Sequence, residues 1–218
     1  MQRHFVSYPK SGRTWIRYIF AQLSLEQQIL FHHDRFEFSD CVKLPHNFNL
    51  SERLAQYSKV EKLVYLDRDP RDVMVSLYFQ ITGRMRDVFE YQGSISEFLR
   101  DDYFGAHNLK HFRKMWAEIT AQMGFLRISY EECHQDIEGT IRRILTYYDL
   151  AVNPLPLSQA IANADFKPMK DLEQSGKFPE PWLKPRNNAP KVREGRIGGF
   201  RNSLTDDDIA YLNDLFGC

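Results

Sequence analysis

Tyr8-Pro9-Lys10-Ser11-Gly12-Arg13-Thr14-Trp15 joins the apolar stretch Phe5-Val6-Ser7-Tyr8 directly to a run with helical apolar spacing, Trp15, Ile16, Ile19, Phe20 and Leu23. This pattern predicts a strand, a tight loop and a helix start. A helix opening leaves backbone N–H groups unpaired at the positive end of the peptide dipole, so a loop there is preformed for a phosphate. Gly12 lets the backbone close on an anion, Lys10 adds a mobile positive charge, and Ser11 and Thr14 add hydroxyl donors. The loop is not the common nucleotide loop G-x-x-x-x-G-K-[ST], in which lysine follows the last glycine and a hydroxyl coordinates magnesium. Here Lys10 precedes Gly12 and Arg13 follows it. Taken alone, the stretch also fits an ordinary surface turn.

Two further stretches must be explained together with it. Leu63-Val64-Tyr65-Leu66-Asp67-Arg68-Asp69-Pro70-Arg71-Asp72-Val73-Met74-Val75-Ser76-Leu77-Tyr78 is again an apolar strand running through a polar turn into a helix. Asp69 suits the N-cap and Pro70 the first helical position. Its interleaved Asp and Arg residues also fit a solvated ion-pair cluster of little energetic value. Val192-Arg193-Glu194-Gly195-Arg196-Ile197-Gly198-Gly199-Phe200-Arg201-Asn202, near the C-terminus, reads by itself as a flexible basic loop.

In this order the three stretches resemble the cofactor segments of sulfotransferases that use 3′-phosphoadenosine 5′-phosphosulfate, PAPS. The first is similar to the family's Y-P-K-S-G-x-T-W loop, which implies that Lys10, Ser11, Gly12, Arg13, Thr14 and Trp15 bind the 5′-phosphosulfate end. The second implies that Arg68 and Ser76 grip the 3′-phosphate, for which an arginine fork offers parallel donors. The third is similar to R-K-G-x-x-G-D-W-K, which implies that Arg193 and the backbone N–H groups of Glu194 and Gly195 close over that phosphate. Three positions depart from the pattern: Glu194 replaces lysine, Gly199 replaces aspartate and Phe200 replaces tryptophan. Only the backbone N–H of Glu194 can therefore serve. Trp15, at the end of the first loop, is an implied adenine-stacking ring, a contact worth about 1–3 kcal/mol per base, as are Tyr130 and, in a segment similar to the family's S-F-K-x-M, Phe166. The last two also fit plain core.

The resemblance further implies in-line transfer of a sulfuryl group from PAPS to a hydroxyl or amine, releasing 3′-phosphoadenosine 5′-phosphate, PAP, with no metal. His46, in Val42-Lys43-Leu44-Pro45-His46, corresponds to the family's base, although lysine stands three residues before it and proline precedes it. Lys10 would neutralise charge on the leaving phosphate, and Lys43 would assist at the sulfuryl oxygens. The remaining histidines, His4, His32, His33, His107, His111 and His134, read as structural or simply exposed.

Composition sets the frame. The 218 residues suit one α/β domain, 1–218, with a 5′-phosphosulfate loop at 8–15, a 3′-phosphate segment at 63–78 and a cofactor lid at 171–202. Lys and Arg number 29 and so do Asp and Glu, so whole-molecule attraction to nucleic acid or an anionic membrane is not indicated. Cys41, Cys133 and Cys218 are scattered, which points to a reducing compartment, and with the first strand expected close to Met1 neither a signal peptide nor a membrane anchor is expected. The expected location is cytoplasmic. Strands are expected near Phe5–Tyr8, Cys41–Leu44, Leu63–Asp67 and Phe125–Ser129. Helical runs are expected after Thr14, Pro70, Ala106 and Glu131, the last keeping one apolar face from Ile137 to Tyr148. Thr205 with Asp208 reads as a further helix start. Such alternation implies a P-loop-like three-layer α/β/α fold with a mostly parallel central sheet, ligands binding outside the carboxyl ends of its strands.

The acceptor loops, Leu25 to Asn49 and Thr82 to Gly105 with parts of the lid, are rich in aromatics. That favours a small apolar or phenolic acceptor over a charged glycan, and leaves open a homodimer in which a second copy completes the pocket. Two rival readings stand beside this one. A P-loop nucleotide kinase would use Asp67 as a magnesium-holding Walker B aspartate. A non-catalytic PAP-binding module would need neither Lys10 nor His46 where they stand.

Overall fold

The computed structural model describes residues 2–36, 45–178 and 181–218. Along the chain, β1 (Arg3–Ser7) leads into α1 (Arg13–Gln22), followed by β2 (Leu30–His32), α2 (Leu50–Tyr57), β3 (Lys62–Asp67) and α3 (Pro70–Phe79). A single π turn, Gln80–Arg84, then leads to α4 (Arg86–Phe89), α5 (Ile95–Leu99), α6 (Ala106–Met123), β4 (Leu126–Ser129), α7 (Tyr130–Gln135), α8 (Ile137–Tyr147), α9 (Pro154–Asn163), α10 (Phe166–Ser175) and α11 (Asp206–Phe216). The chain divides into two compact units: Met1–Phe36, Asn47–Arg68 and Arg113–Asp165, and Glu37–His46, Asp69–Phe112 and Phe166–Cys218.

The first unit holds one sheet of order β2-β1-β3-β4, all pairs parallel. Phe5 and Val6 of β1 and Leu63 to Leu66 of β3 are fully buried, the near-continuous apolar run expected of central parallel strands covered on both faces. The chain leaves β1 for one neighbour, β2, and later reaches the other, β3. The order therefore reverses beside β1, and the crevice at such a switch point is where open α/β sheets bind ligands. The loop after β1 and the residue after β3, Arg68, are thereby neighbours.

Three of the expected strands form where the sequence puts them, with Tyr8 falling into the loop. The expected strand Cys41–Leu44 lies outside the described residues. The sheet's fourth strand is β2, which the sequence hides: it is three residues long and pairs on one side only, with His4 opposite Leu30 and Val6 opposite His32. The helical run after Glu131 is two helices. Asp136 ends α7 and caps α8, accepting from the Gly139 N–H at 2.8 Å, and a Cβ on Gly139 would strike that carboxylate. The apolar face survives the break, with Ile141, Ile144, Leu145 and Tyr148 buried.

A buried carboxylate ties the end of β2 to two helices. Asp34 accepts from Arg53 Nε at 2.9 Å, Tyr57 Oη at 2.7 Å and Trp116 Nε1 at 3.2 Å, the density of donors that a buried charge requires. Beside it, the Asp34 N–H donates to His32 Nδ1 at 3.2 Å, so that nitrogen carries no proton and Nε2 donates to His4 Nδ1 at 3.1 Å.

In the second unit, Phe98 and Phe104 stack at 5.4 Å with Tyr91 edge-on to both, and Phe89 meets Phe104 at 5.3 Å. Phe98 and Phe104 are fully buried, so part of the aromatic content of Thr82–Gly105 serves this unit's core. Asp69 caps α3 by accepting from the Arg71 N–H at 2.9 Å, with Pro70 in the first turn, and Thr205 accepts from the Asp208 N–H at 3.2 Å to open α11.

Burial, then the charges of His4 and Arg13, lowers the pKa of His32 to about 3. Below pH 6.5 the unfolded chain takes up a proton that the folded chain refuses until about pH 3, so stability falls as the pH falls. Between pH 6.5 and 4.5 the loss should reach about 2–3 kcal/mol. Urea unfolding of the wild type and of His32→Gln should show the gap between them narrowing by that amount. A gap independent of pH would mean that His32 titrates alike in both states.

Candidate functional site

In the first unit the loop after β1 is built around two left-handed residues, Lys10 at φ 73° and Gly12 at φ 102°. Gly12 is the N-cap of α1 and has no side chain to spend on the first-turn N–H groups. A Cβ at Gly12 would lie 2.5 Å from Tyr130 Cδ2, so glycine is required both by backbone angle and by the ring packed against it. Arg68 Nη1 donates to the Lys10 carbonyl at 3.0 Å, and its guanidinium carbon sits 4.1 Å from the centre of the Tyr130 ring. Trp15 meets the Tyr130 ring edge-on at 5.8 Å and His134 at 5.0 Å. Burial, then the Arg68 charge, lowers the pKa of His134. Lys10, Ser11, Gly12, Arg13, Thr14, Trp15, Arg68 and Tyr130 thus belong to one unit, with Lys10, Gly12, Trp15, Arg68 and Tyr130 linked by direct contacts around the opening of a ten-residue helix.

Asp67 is not available to a magnesium ion. It accepts from Arg113 Nε at 2.9 Å and Nη2 at 3.0 Å, and from Arg127 Nη2 at 2.7 Å. Burial alone would raise its pKa, but these guanidinium groups bring it below the usual carboxylate range. Nor are the acidic residues of this stretch a solvated cluster. Asp67 and Asp72 are both buried, and each of Asp67, Asp69 and Asp72 has its own partners.

In the second unit, α3 and the loop near the C-terminus come together. The Asp72 carboxylate accepts from the Gly198 N–H at 2.7 Å and the Phe200 N–H at 3.0 Å. Arg71 lies 4.4 Å from the centre of the Phe200 ring, and Arg193 lies 4.7 Å from that of Phe79. Asp72, Ser76 and Phe79 follow one another at helical spacing, so Ser76 stands on the stripe of α3 that the loop crosses. Gly195, at φ 61°, lies where a Cβ would collide with the ring of Phe166, which keeps 38% of its surface exposed. The Glu194 carboxylate accepts from Arg193 Nη1 and, at 2.8 Å, from Arg196 Nε. Ser76, Phe166, Arg193, Glu194 and Gly195 all lie in this unit, as does His46. The His46 ring stacks on Tyr103 at 4.5 Å; burial lowers its pKa and a hydrogen bond with Asn108 works against that. Lys43 lies outside the described residues.

A sequence profile described as "Sulfotransferase domain" matches residues 4–217. The chain belongs to the sulfotransferase family. Sulfotransferase 2B1 of Homo sapiens is 28% identical over 225 residues, covering 92% of this chain and 60% of that protein. Sulfotransferase 2A1 of Macaca fascicularis is 26% identical over 162 residues, covering 73% of this chain and 56% of that protein. The chain thus spans about 60% of the length of these relatives. Among solved structures, mouse sulfotransferase SULT7A1 complexed with PAP superposes with a TM-score of 0.70 at 19% identity, over 99% of this chain and 82% of that one. Retinol dehydratase in a complex with retinol and PAP does so with a TM-score of 0.65 at 17% identity, over 99% and 80%. The fold is the three-layer α/β/α fold of sulfotransferases.

Sequence reasoning misses the residues that hold the loop between α10 and α11. Glu173, only 2% exposed, accepts from the N–H groups of Lys191 and, at 2.9 Å, Val192, directly before Arg193. Arg84, in the π turn, reaches Glu173 at 3.7 Å and donates to the carbonyls of Lys184 at 3.0 Å and Ala189 at 3.2 Å. With Asp72 on the other side, the segment from Arg193 to Ile197 is bracketed by two buried carboxylates. Of the expected lid 171–202, the stretch Asp171 to Ser175 continues α10.

Gly12→Ala should destabilise the protein by about 2–4 kcal/mol, combining a left-handed backbone with a steric clash. In a Tyr130→Ala background the same change should cost only the backbone part, about 1 kcal/mol, which a double-mutant cycle in urea measures. Additive costs would mean that the ring is not what excludes a side chain at residue 12.

Proposed function

We propose that this chain transfers a sulfuryl group from PAPS to a hydroxyl or amine of a small apolar or phenolic acceptor, releasing PAP. The observation that carries the reading is the uncapped opening of α1 at the sheet's switch point, where Arg68 is bonded to the loop that contains Lys10 and Gly12. First-turn N–H groups, the helix dipole and a lysine together suit the 5′-phosphosulfate of that donor. PAPS supplies the activated sulfuryl group. Its two charged ends call for two cationic loops, and the residues present fit that demand.

Lys10 neutralises charge on the leaving phosphate; at about 4 Å and an effective dielectric near 20 such a pair interacts by roughly 4 kcal/mol. Only the share that strengthens in the transition state raises the rate. Ser11, Arg13 and Thr14 contribute donors to the same end. By resemblance the 3′-phosphate is assigned to Arg68 of the first unit and, in the second, to Ser76, Arg193 and the N–H groups of Glu194 and Gly195, the loop of the last three being tethered on both sides by Asp72 and Glu173. Trp15 and Phe166, the latter with an exposed ring, are each assigned to the adenine by resemblance, whereas Tyr130, 5% exposed and covered by Arg68, supports the loop and the guanidinium. His46 takes the acceptor's proton: burial lowers its pKa, so the imidazole is neutral at pH 7. Lys43 is assigned to the sulfuryl oxygens by resemblance.

Among the described residues no helix is long and apolar enough to cross a membrane, and no group of three His, Cys, Asp or Glu could hold a metal ion. Cys133 and Cys218 carry free thiols, which fits a reducing compartment, and we assign the protein to the cytoplasm. A homodimer remains part of this proposal only as the means of completing the acceptor pocket.

Calorimetric titration should give PAP binding without metal. Arg193→Ala should weaken it at least about thirtyfold, the scale expected for a charge-assisted phosphate contact. His46→Ala should keep PAP binding and lose transfer to small phenolic or apolar hydroxyl acceptors by about 10²–10⁴. Binding of ATP with magnesium but not of PAP would overturn the proposal in favour of a kinase, and PAP binding without transfer to any acceptor would leave a binding module.

A further inference from the structure

Glu194 stands where the family's loop has lysine, and Gly199 where it has aspartate. The structure relates the two exchanges. A Cβ on Gly199 would lie 2.8 Å from Glu194 Oε2, so the carboxylate delivered from residue 194 lies over the bare backbone of residue 199. It bridges two arginines: Oε1 accepts from Arg193 Nη1, and Oε2 from Arg196 Nε at 2.8 Å. The guanidinium of Arg193 is at the same time 4.7 Å from the centre of the Phe79 ring, so its plane has little freedom to offer a new face.

We propose that Glu194 is an internal counter-anion that determines how tightly this chain takes a 3′-phosphorylated nucleotide. This rests on the reading of Arg193 as a ligand of the 3′-phosphate. An incoming phosphate dianion then competes with the carboxylate for the Nη1 donor of Arg193 and is repelled by it. Arg196 is the residue that receives Glu194 when the phosphate takes over the Nη1 donor of Arg193, since it already holds the second carboxylate oxygen. Gly199 provides the room in which the carboxylate sits. Both Glu194 and Arg193 are about 29% exposed, so the ion pair is weak enough to be displaced and strong enough to lower affinity. Nucleotides that lack a 3′-phosphate do not reach Arg193 and are indifferent to Glu194.

The test is calorimetry with PAP and with adenosine 5′-phosphate. Glu194→Gln should bind PAP about five- to tenfold tighter, the equivalent of one partly exposed ion pair, and leave adenosine 5′-phosphate unchanged. Arg196→Ala should weaken PAP binding about threefold in the wild type and have no effect in the Glu194→Gln background. A gain in affinity is not produced by misfolding. Unchanged or weaker PAP binding by Glu194→Gln, with Arg193→Ala still abolishing it, overturns this inference and leaves the phosphate reading standing. PAP binding indifferent to Arg193→Ala overturns that reading, and this inference with it.

Discussion

The position of β1 between β2 and β3 governs everything in the first unit. Because the chain pairs β1 first on one side and later on the other, the loops leaving β1 and β3 emerge side by side at the carboxyl edge. Arg68 can therefore donate to the Lys10 carbonyl, a bond between residues 58 positions apart. That bond holds Lys10 at a positive φ, a conformation costing of order 1 kcal/mol that persists only when neighbours over-determine it. Tyr130, at the start of the helix after β4, supplies the second constraint by leaving no space for a side chain at Gly12. The shape of the loop is set by the strands and helices around it rather than by its own sequence.

The second unit meets a different constraint. Its C-terminal segment between α10 and α11 has few regular ladders to satisfy its backbone, and a buried N–H without an acceptor is costly. Asp72 and Glu173 supply acceptors from regular helices, each taking two N–H groups. Glu173 in turn requires the Arg84 guanidinium, and Arg84 also holds the carbonyls of Lys184 and Ala189. The π turn that carries Arg84 is bonded through its own carbonyl to Asn187 at 2.9 Å. An irregular loop is thereby fixed by a short chain of charged groups, which explains how flexible-looking composition yields a defined position for Arg193.

Much of this was legible in the sequence wherever the signal was local. The two strand–loop–helix segments, the cap at Asp69 and the start at Thr205 each depend on residues within a few positions of one another, and each formed as the pattern indicated. The family resemblance carried by the motifs agrees with the profile match over residues 4–217. What the sequence hid was long-range or backbone-directed. β2 is too short to alternate visibly. The partners of Asp67 lie 46 and 60 residues away, so its reading as a metal ligand could not be dismissed by spacing. Glu173 bonds to N–H groups that every residue but proline possesses, so its partners leave no mark in the sequence at all.

A zero net charge also takes on meaning at the level of individual groups. Arg113 and Arg127 are matched by Asp67, Arg71 by Asp69, and Arg193 and Arg196 by Glu194. At Arg193 and Arg196 positive charge is thus already engaged with a carboxylate before any anion arrives. Binding an anionic ligand in such surroundings is an exchange of one anion for another rather than the filling of an empty field. Its free energy is a difference between two partly screened pairings, each modest at the exposed positions. Affinity then depends less on the number of arginines than on where each resident carboxylate can go when displaced. In the loop after α10 the adjacent guanidinium of Arg196 and the bare backbone of Gly199 define that place.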